Sequence, residues 1–270
     1  MDNDKKNYLQ VCEKAVRIGG RVVQQWVGHA KVHEKGPADF VTQADLASQE
    51  AVRQAVLGAF PNHCLLGEEE GPNATPTDRA EYRWIVDPLD GTTNYIHGIP
   101  HYCVSLALEC NGDLLVGAVF DPVLDECYTA VSGQGAWLNG RPIHTSRVAS
   151  LAESLAVVGF PPNVQVDSPD VALFLDMLTR CQAIRRTGSA ALNLCYLAAG
   201  RFDLFWSFST HIWDVAAGVL ILREAGGALS SPTGGPFCLE DACFLAAANP
   251  KLHTQLQEAA SHRGRRRDRS

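Results

Sequence analysis

The chain has no apolar run near the ~18 residues that a membrane span requires, no Cys-x-x-Cys pair and no overall positive charge. Residues 1–7 are polar, where a secretory leader would begin to build its apolar core, so a cytosolic protein is expected. The nine cysteines are odd in number, scattered and set mostly among apolar residues, which predicts reduced, buried thiols in place of disulfides or zinc ligands. Two histidine pairs, His29/His33 and His97/His101, have a four-residue spacing, but both fall in loop-like stretches with no further ligand nearby. A formal net charge of −7 argues against a surface built to embrace nucleic acid or an anionic membrane. The exception is the basic end of the chain, Arg263 to Arg269. It has no apolar residue to anchor it, so the segment from residue 261 onward reads as a disordered, solvated tail.

What remains is an ordinary globular composition. The chain has 270 residues, 46% hydrophobic and 20% charged, enough for one large domain with a substantial core. Apolar residues at three- and four-residue steps predict a helix over about 8–27. A polar loop is expected over 28–39, broken by Gly36-Pro37, and then a second helix that leads from Phe40 to Phe60 and stops at Pro61-Asn62. Leu65-Leu66-Gly67 reads as a strand end running into the acidic Glu68-Glu69-Glu70 turn. Strands follow over 104–109, 114–120 and 126–131, separated by the turn signals Asn111-Gly112-Asp113 and Asp121-Pro122, and Ala136 to Arg141 closes the meander. The second half alternates: strands near 155–158, 183–186, 202–206 and 243–247, with helices near 169–180, 189–199 and 212–225. There is no internal repeat or long linker. One α/β unit of mixed strands is expected, with a soft division near 142–150.

The most informative stretch is Trp84-Ile85-Val86-Asp87-Pro88-Leu89-Asp90-Gly91-Thr92-Thr93-Asn94. Its apolar start reads as a buried strand that ends at Val86 and delivers Asp87 and Asp90 into a turn. Two carboxylates three residues apart can hold hard divalent cations through oxygen. Gly91 and the hydroxyl residues after it can open a helix, whose free N–H groups favour phosphate. Asp, Pro and Gly are also the residues of any surface turn, so the motif needs support from elsewhere. Asp45, Glu68 and Asp214 supply it, each a carboxylate at an element end, although each alone has a plain explanation as a surface acid or helix-start charge.

The combination resembles the inositol monophosphatase family of magnesium-dependent, lithium-sensitive phosphatases. The likeness is carried by Asp39-Phe40-Val41-Thr42-Gln43-Ala44-Asp45, Gly67-Glu68-Glu69, residues 84–100 and Trp213-Asp214-Val215-Ala216-Ala217-Gly218, in that order. Glu224-Ala225-Gly226-Gly227 and Ala248-Asn249-Pro250 continue it, so that it covers about residues 8–255. The resemblance implies a layered α/β/α/β/α sandwich with mixed sheets, a homodimer, and two to three Mg²⁺ ions. It implies that Glu68, Asp87 and the carbonyl of Leu89 hold one ion, and that Asp87, Asp90 and Asp214 hold a second. A looser third would use Glu68, with Asp45 nearby; Gly91 and Thr92 would offer N–H groups to phosphate, and Thr92 with Glu68 and Asp45 would position the attacking water. The implied reaction is hydrolysis of inositol monophosphate by in-line attack of metal-activated water, with no covalent phosphoenzyme.

Substrate choice is less sharply written. The family places a Glu that contacts sugar hydroxyls six residues before the Trp-Asp pair, and here that position is Ser207. Serine bonds a hydroxyl but carries no charge and reaches less far. Ala190, after Gly188-Ser189, matches a small residue beside the sugar ring, and Asp90 and Asp214 remain able to bond hydroxyls. Relatives acting on histidinol phosphate, fructose 1,6-bisphosphate or adenosine 3′,5′-bisphosphate share nearly the same motifs, and a silent binding module is a further alternative. The partner expected in every enzymatic case is a small phosphate ester.

Overall fold

The computed structural model describes residues 2–36, 39–70, 81–161 and 163–261. Helix α1 (Asp2–Gln25) buries Cys12, Ala15, Val16 and Val23 on one face, and starts earlier than its apolar spacing because residues 4–7 form a largely exposed first turn. The loop expected over 28–39 instead holds an antiparallel hairpin, β1 (Val32–Gly36) with β2 (Asp39–Thr42). Val32, His33 and Glu34 are all exposed, so backbone pairing holds this strand and no in-out alternation announces it. Thr42 then caps α2 (Gln43–Ala59): its Oγ1 accepts from the Ala44 N–H, and the Asp45 carboxylate accepts from the Thr42 N–H at 2.8 Å.

Strand β3 (Cys64–Gly67) runs into a 3-10 turn, Glu68–Glu70. Strand β4 (Tyr82–Asp90) does not stop at Val86; it continues through Asp87-Pro88-Leu89-Asp90. The register breaks between Asp87 and Asp90, so Pro88 sits in a bulge where its missing N–H costs no ladder bond. A short helix, α3 (Thr92–Ile96), follows. The meander is β5 (Cys103–Cys110), β6 (Asp113–Asp121), β7 (Glu126–Val131), β8 (Gly135–Leu138) and β9 (Arg141–Pro142), with Asn111 and Gly112 both at positive φ in the β5–β6 turn. Next come β10 (Leu155–Val158), α4 (Pro169–Met177), β11 (Ala183–Arg185), α5 (Ala190–Ala198), β12 (Leu204–Ser207) and α6 (Ile212–Glu224). The chain closes with β13 (Ala228–Ser230), β14 (Phe244–Ala247) and α7 (Pro250–Ser261). Ser261 therefore belongs to a helix, and the rest of the basic tail lies outside the described residues.

Two sheets result. The first has the order β3-β4-β5-β6-β7-β8-β9, parallel at β3–β4 and antiparallel beyond; the second has the order β11-β10-β12-β14-β13, parallel across β11, β10 and β12. Three apolar clusters define the layers. One packs α1 and α2 on the outer face of the first sheet through Val16, Val52, Trp84 and Leu106. A second joins both sheets through α5 and α6, with Ile85 and Val119 on one side, Leu194 and Val219 between, and Phe205 and Phe244 on the other. The third packs α4 and α7 against Trp206 and Leu245. This is the α/β/α/β/α sandwich that the resemblance implied. The nine cysteines are free, four of them buried.

Candidate metal and phosphate site

Each candidate side chain is delivered by a different element end. Glu68 follows β3, which pairs in parallel with β4 at Gly67↔Val86, so it comes out of the sheet beside Asp87. Asp87 and Asp90 flank the β4 bulge. Asp45 and Asp214 occupy the third positions of α2 and α6, where a carboxylate bonds back to the cap N–H. The bulge is pinned from outside by Ser48 of α2, whose hydroxyl donates to the Pro88 carbonyl at 2.8 Å. Gln49 accepts from the Glu69 N–H at 3.1 Å and fills the space over Gly67, where a Cβ would lie 2.3 Å from its Oε1. No motif spacing marks Ser48 or Gln49, since both act on partners far away in sequence.

The three central carboxylates share one pattern. Asp87 Oδ1 accepts from the Leu89 N–H at 2.9 Å, Asp214 Oδ2 from the His211 N–H at 2.7 Å, and Asp90 Oδ2 from Ser189 Oγ and the Ala191 N–H at 2.6 and 2.7 Å. Asp90 Oδ1 carries one long bond, 3.2 Å from the Ala190 N–H, while Asp87 Oδ2 and Asp214 Oδ1 carry none among the described residues. Each carboxylate is thus fixed by one oxygen and offers the other. Single-oxygen donors suit the strict octahedron of Mg²⁺ better than the larger, often bidentate shell of Ca²⁺.

Electrostatics point the same way. Burial pushes the Asp87 carboxyl well above the carboxylate range, with Glu68, Asp90 and Asp214 adding repulsion. Asp214 is pushed up to about 7 by burial and then by Asp90. Asp90 is raised by burial too, against the hydrogen bonds from Ser189, Ala191 and Ala190. No cationic side chain among the described residues bonds Asp87, Asp90 or Asp214, and bound divalent cations would supply a counter-charge. Among the described residues no three His, Cys, Asp or Glu side chains form a closed metal cage. The unbonded oxygens of Asp87 and Asp214 and the raised proton affinities fit divalent cations.

Beside the carboxylates lies the phosphate end. Gly91 adopts φ +100°, and a Cβ there would lie 3.0 Å from the His101 carbonyl, so only glycine fits this turn into α3. Thr92 Oγ1 sits 2.9 Å from the Leu89 carbonyl and 3.2 Å from Asp45 Oδ1, one hydroxyl proton between two acceptors. Asp45 is itself raised to about 6, chiefly by burial. The structure therefore brings Asp45, Glu68, Asp87, Leu89, Asp90, Thr92, Ala190 and Asp214 into one network of contacts and mutual repulsion. Ser207 stands apart from it: buried at the end of β12, it donates a long bond, 3.4 Å, to the Gly159 carbonyl.

A two-sheet sandwich with this carboxylate network between its layers is that of a phosphatase. The family model described as "Inositol monophosphatase family" matches residues 4–265, and the chain belongs to that family. It is 40% identical to a Nus factor SuhB of Pseudomonas aeruginosa, over 92% of this chain and 93% of that one. It is 39% identical to a fructose-1,6-bisphosphatase/inositol-1-monophosphatase of Aquifex aeolicus, over 96% and 97%. The crystal structure of extragenic suppressor protein suhB from Bartonella henselae superposes with a TM-score of 0.89 at 34% identity, covering 94% of this chain and 98% of that one.

Proposed function

We propose that the protein is a Mg²⁺-dependent phosphomonoesterase whose substrate is an inositol monophosphate. The observation that carries the reading is a set of three carboxylates, Asp87 and Asp90 buried and Asp214 half-buried, each held chiefly through one oxygen. Glu68, Asp87 and the Leu89 carbonyl would hold one ion, and Asp87, Asp90 and Asp214 a second. Bound there, the ions lower the pKa of water toward neutrality and neutralise charge on the transferring phosphoryl group. The chain does the rest. The turn at Gly91 aims the N–H groups of Gly91 and Thr92 at the phosphate oxygens. Thr92 Oγ1 gives its proton toward Asp45 and turns a lone pair to the incoming water; an Asp45 raised to about 6 suits proton acceptance near neutral pH. Asp214 and the Ala190 end of α5 border the alcohol side; Ser207, buried and bonded to the Gly159 carbonyl, puts no charged group there for a polyol. A homodimer, a cytoplasmic location and a single domain with a soft division near 142–150 belong to the same proposal.

Phosphate release from inositol 1-phosphate, histidinol phosphate, fructose 1,6-bisphosphate and adenosine 3′,5′-bisphosphate, with Mg²⁺ and with chelator, tests the proposal. Fast, chelator-sensitive release from inositol 1-phosphate is expected, with Asp87→Asn and Asp214→Asn each lowering turnover by orders of magnitude. Preference for another ester moves the substrate assignment to that ester, with Ser207 as its first cause. Retained turnover in either variant would overturn the two-ion assignment.

A further inference from the structure

The roles above leave open why Asp90 should present one particular oxygen to an ion. Its environment answers this. The donors to Oδ2 come from the start of α5, about a hundred residues further along: Ser189 Oγ at 2.6 Å and the Ala191 N–H at 2.7 Å. Two strong bonds use the lone pairs of Oδ2, while Oδ1 keeps one lone pair beside its long contact with the Ala190 N–H. The direction of the serine proton is settled as well. Ser189 is buried and caps α5, its Oγ accepting from the Leu192 N–H at 3.3 Å, so its own proton points to Asp90. The neutral Cys103 thiol closes the same pocket, 3.8 Å from Asp90 Oδ2 and 3.7 Å from Ser189 Oγ.

We propose that Ser189 is a positioning residue for the metal centre: its hydroxyl reserves Oδ2 of Asp90 for the end of α5 and turns Oδ1 toward the ion. This rests on the metal-dependent reading above. The carboxylate torsion is broad and roughly two-fold, so without the hydroxyl only the α5 N–H groups and the weak Cys103 thiol contact distinguish the two oxygens. Partners that orient a metal ligand in this way typically change metal affinity by roughly 10- to 100-fold.

The test uses Mn²⁺ as the probe, with the free ion followed by electron paramagnetic resonance, on wild type, Ser189→Ala, Ser189→Gly, Asp90→Asn and the Ser189→Gly/Asp90→Asn double variant. Glycine is a serviceable helix cap but donates nothing to Asp90, so it separates the two jobs of the serine. Both single serine variants are expected to weaken Mn²⁺ binding at the site that Asp90 shares with Asp87 and Asp214 by roughly 10- to 100-fold, and Ser189→Gly is expected to add no further loss once Asp90 is Asn. Far-UV circular dichroism checks the fold, and Ser189→Gly carries the test should the alanine variant not fold. Wild-type affinity in Ser189→Gly would overturn the proposal and leave a capping role only. Equal loss in the presence and absence of the Asp90 carboxylate would overturn it too. A wild type that binds no Mn²⁺ would instead bring down the metal-dependent reading, and this inference with it.

Discussion

Asp87 is a buried carboxyl group that, among the described residues, bonds no cationic side chain. Burial and the neighbouring Glu68, Asp90 and Asp214 raise its proton affinity, and Asp45 and Asp214 are raised to about 6 and about 7 by burial as well. In the unfolded chain these groups titrate near 3.9. The folded state therefore binds more protons between about pH 4 and pH 7, so the metal-free protein should be most stable below that window and lose stability as pH rises through it. Asp87→Asn keeps the acceptor for the Leu89 N–H and removes the charge. It is expected to raise the metal-free Tm at pH 7, by about 2–4 °C for each ~1 kcal/mol gained, and to flatten the pH dependence, as read in a series of melting curves. Gly91→Ala acts on shape and not on charge. A side chain at φ +100° facing the His101 carbonyl costs about 1–3 kcal/mol, and the displaced Thr92 should lower turnover together with Tm. At this scale the carboxylates, Thr92 and Gly91 are legible in short motifs. Ser48, Gln49 and Ser189 are not, because their partners Pro88, Glu69 and Asp90 lie 40, 20 and 99 positions away and no local spacing encodes them.

Elements bounded by strong turn chemistry are the readable ones. Strand β7 falls where the Asp121-Pro122 turn signal puts it and β10 where a short apolar run does, whereas the exposed β1 and the three-residue β13 give little pattern to detect; α7 goes unread although Leu252, Leu256 and Ala259 fall at helical spacing. The end of β4 is misread for a definite reason: Pro88 looks like a strand stop, yet it occupies a bulge that needs no donor. Between elements, glycine sets the spacing of the central layer. A Cβ on Gly218 of α6 would come 2.7 Å from the Leu194 side chain of α5, and one on Gly117 of β6 would come 3.1 Å from Ala217. Helices α5 and α6 carry Ser189 and Asp214 at their starts, so their separation fixes that of the site's two sides. Gly218→Ala is expected to cost about 1–3 kcal/mol by overpacking and to weaken Mg²⁺ affinity as well, which calorimetric titration of the purified variant measures.

Across the whole molecule, carboxylates from four separate segments meet only when both sheets have closed on α5 and α6. An ion held there would bind the folded chain in preference to the unfolded one, in which these segments lie apart. Mg²⁺ at a hundred times its Kd should then add about 2.7 kcal/mol of stability, and EDTA should remove it; thermal scans with and without chelator check this. The layered architecture was legible only as what the family resemblance implies, while the sheet order β11-β10-β12-β14-β13 was not legible at all, since nothing local tells β14 to insert beside β12.

The tie between Asp90 and the start of α5 also sets a timetable for synthesis. When a ribosome has released β4, the donors from residues 189–191 have yet to be translated, and so has Asp214. The emerging first sheet exposes the apolar face that α5 and α6 later cover, with its acidic bulge at the rim. The nascent chain must therefore wait, unloaded and incompletely packed, until well over two thirds of it has left the exit tunnel, and a growing polypeptide stalled near residue 150 is a client for chaperones rather than a half-built enzyme.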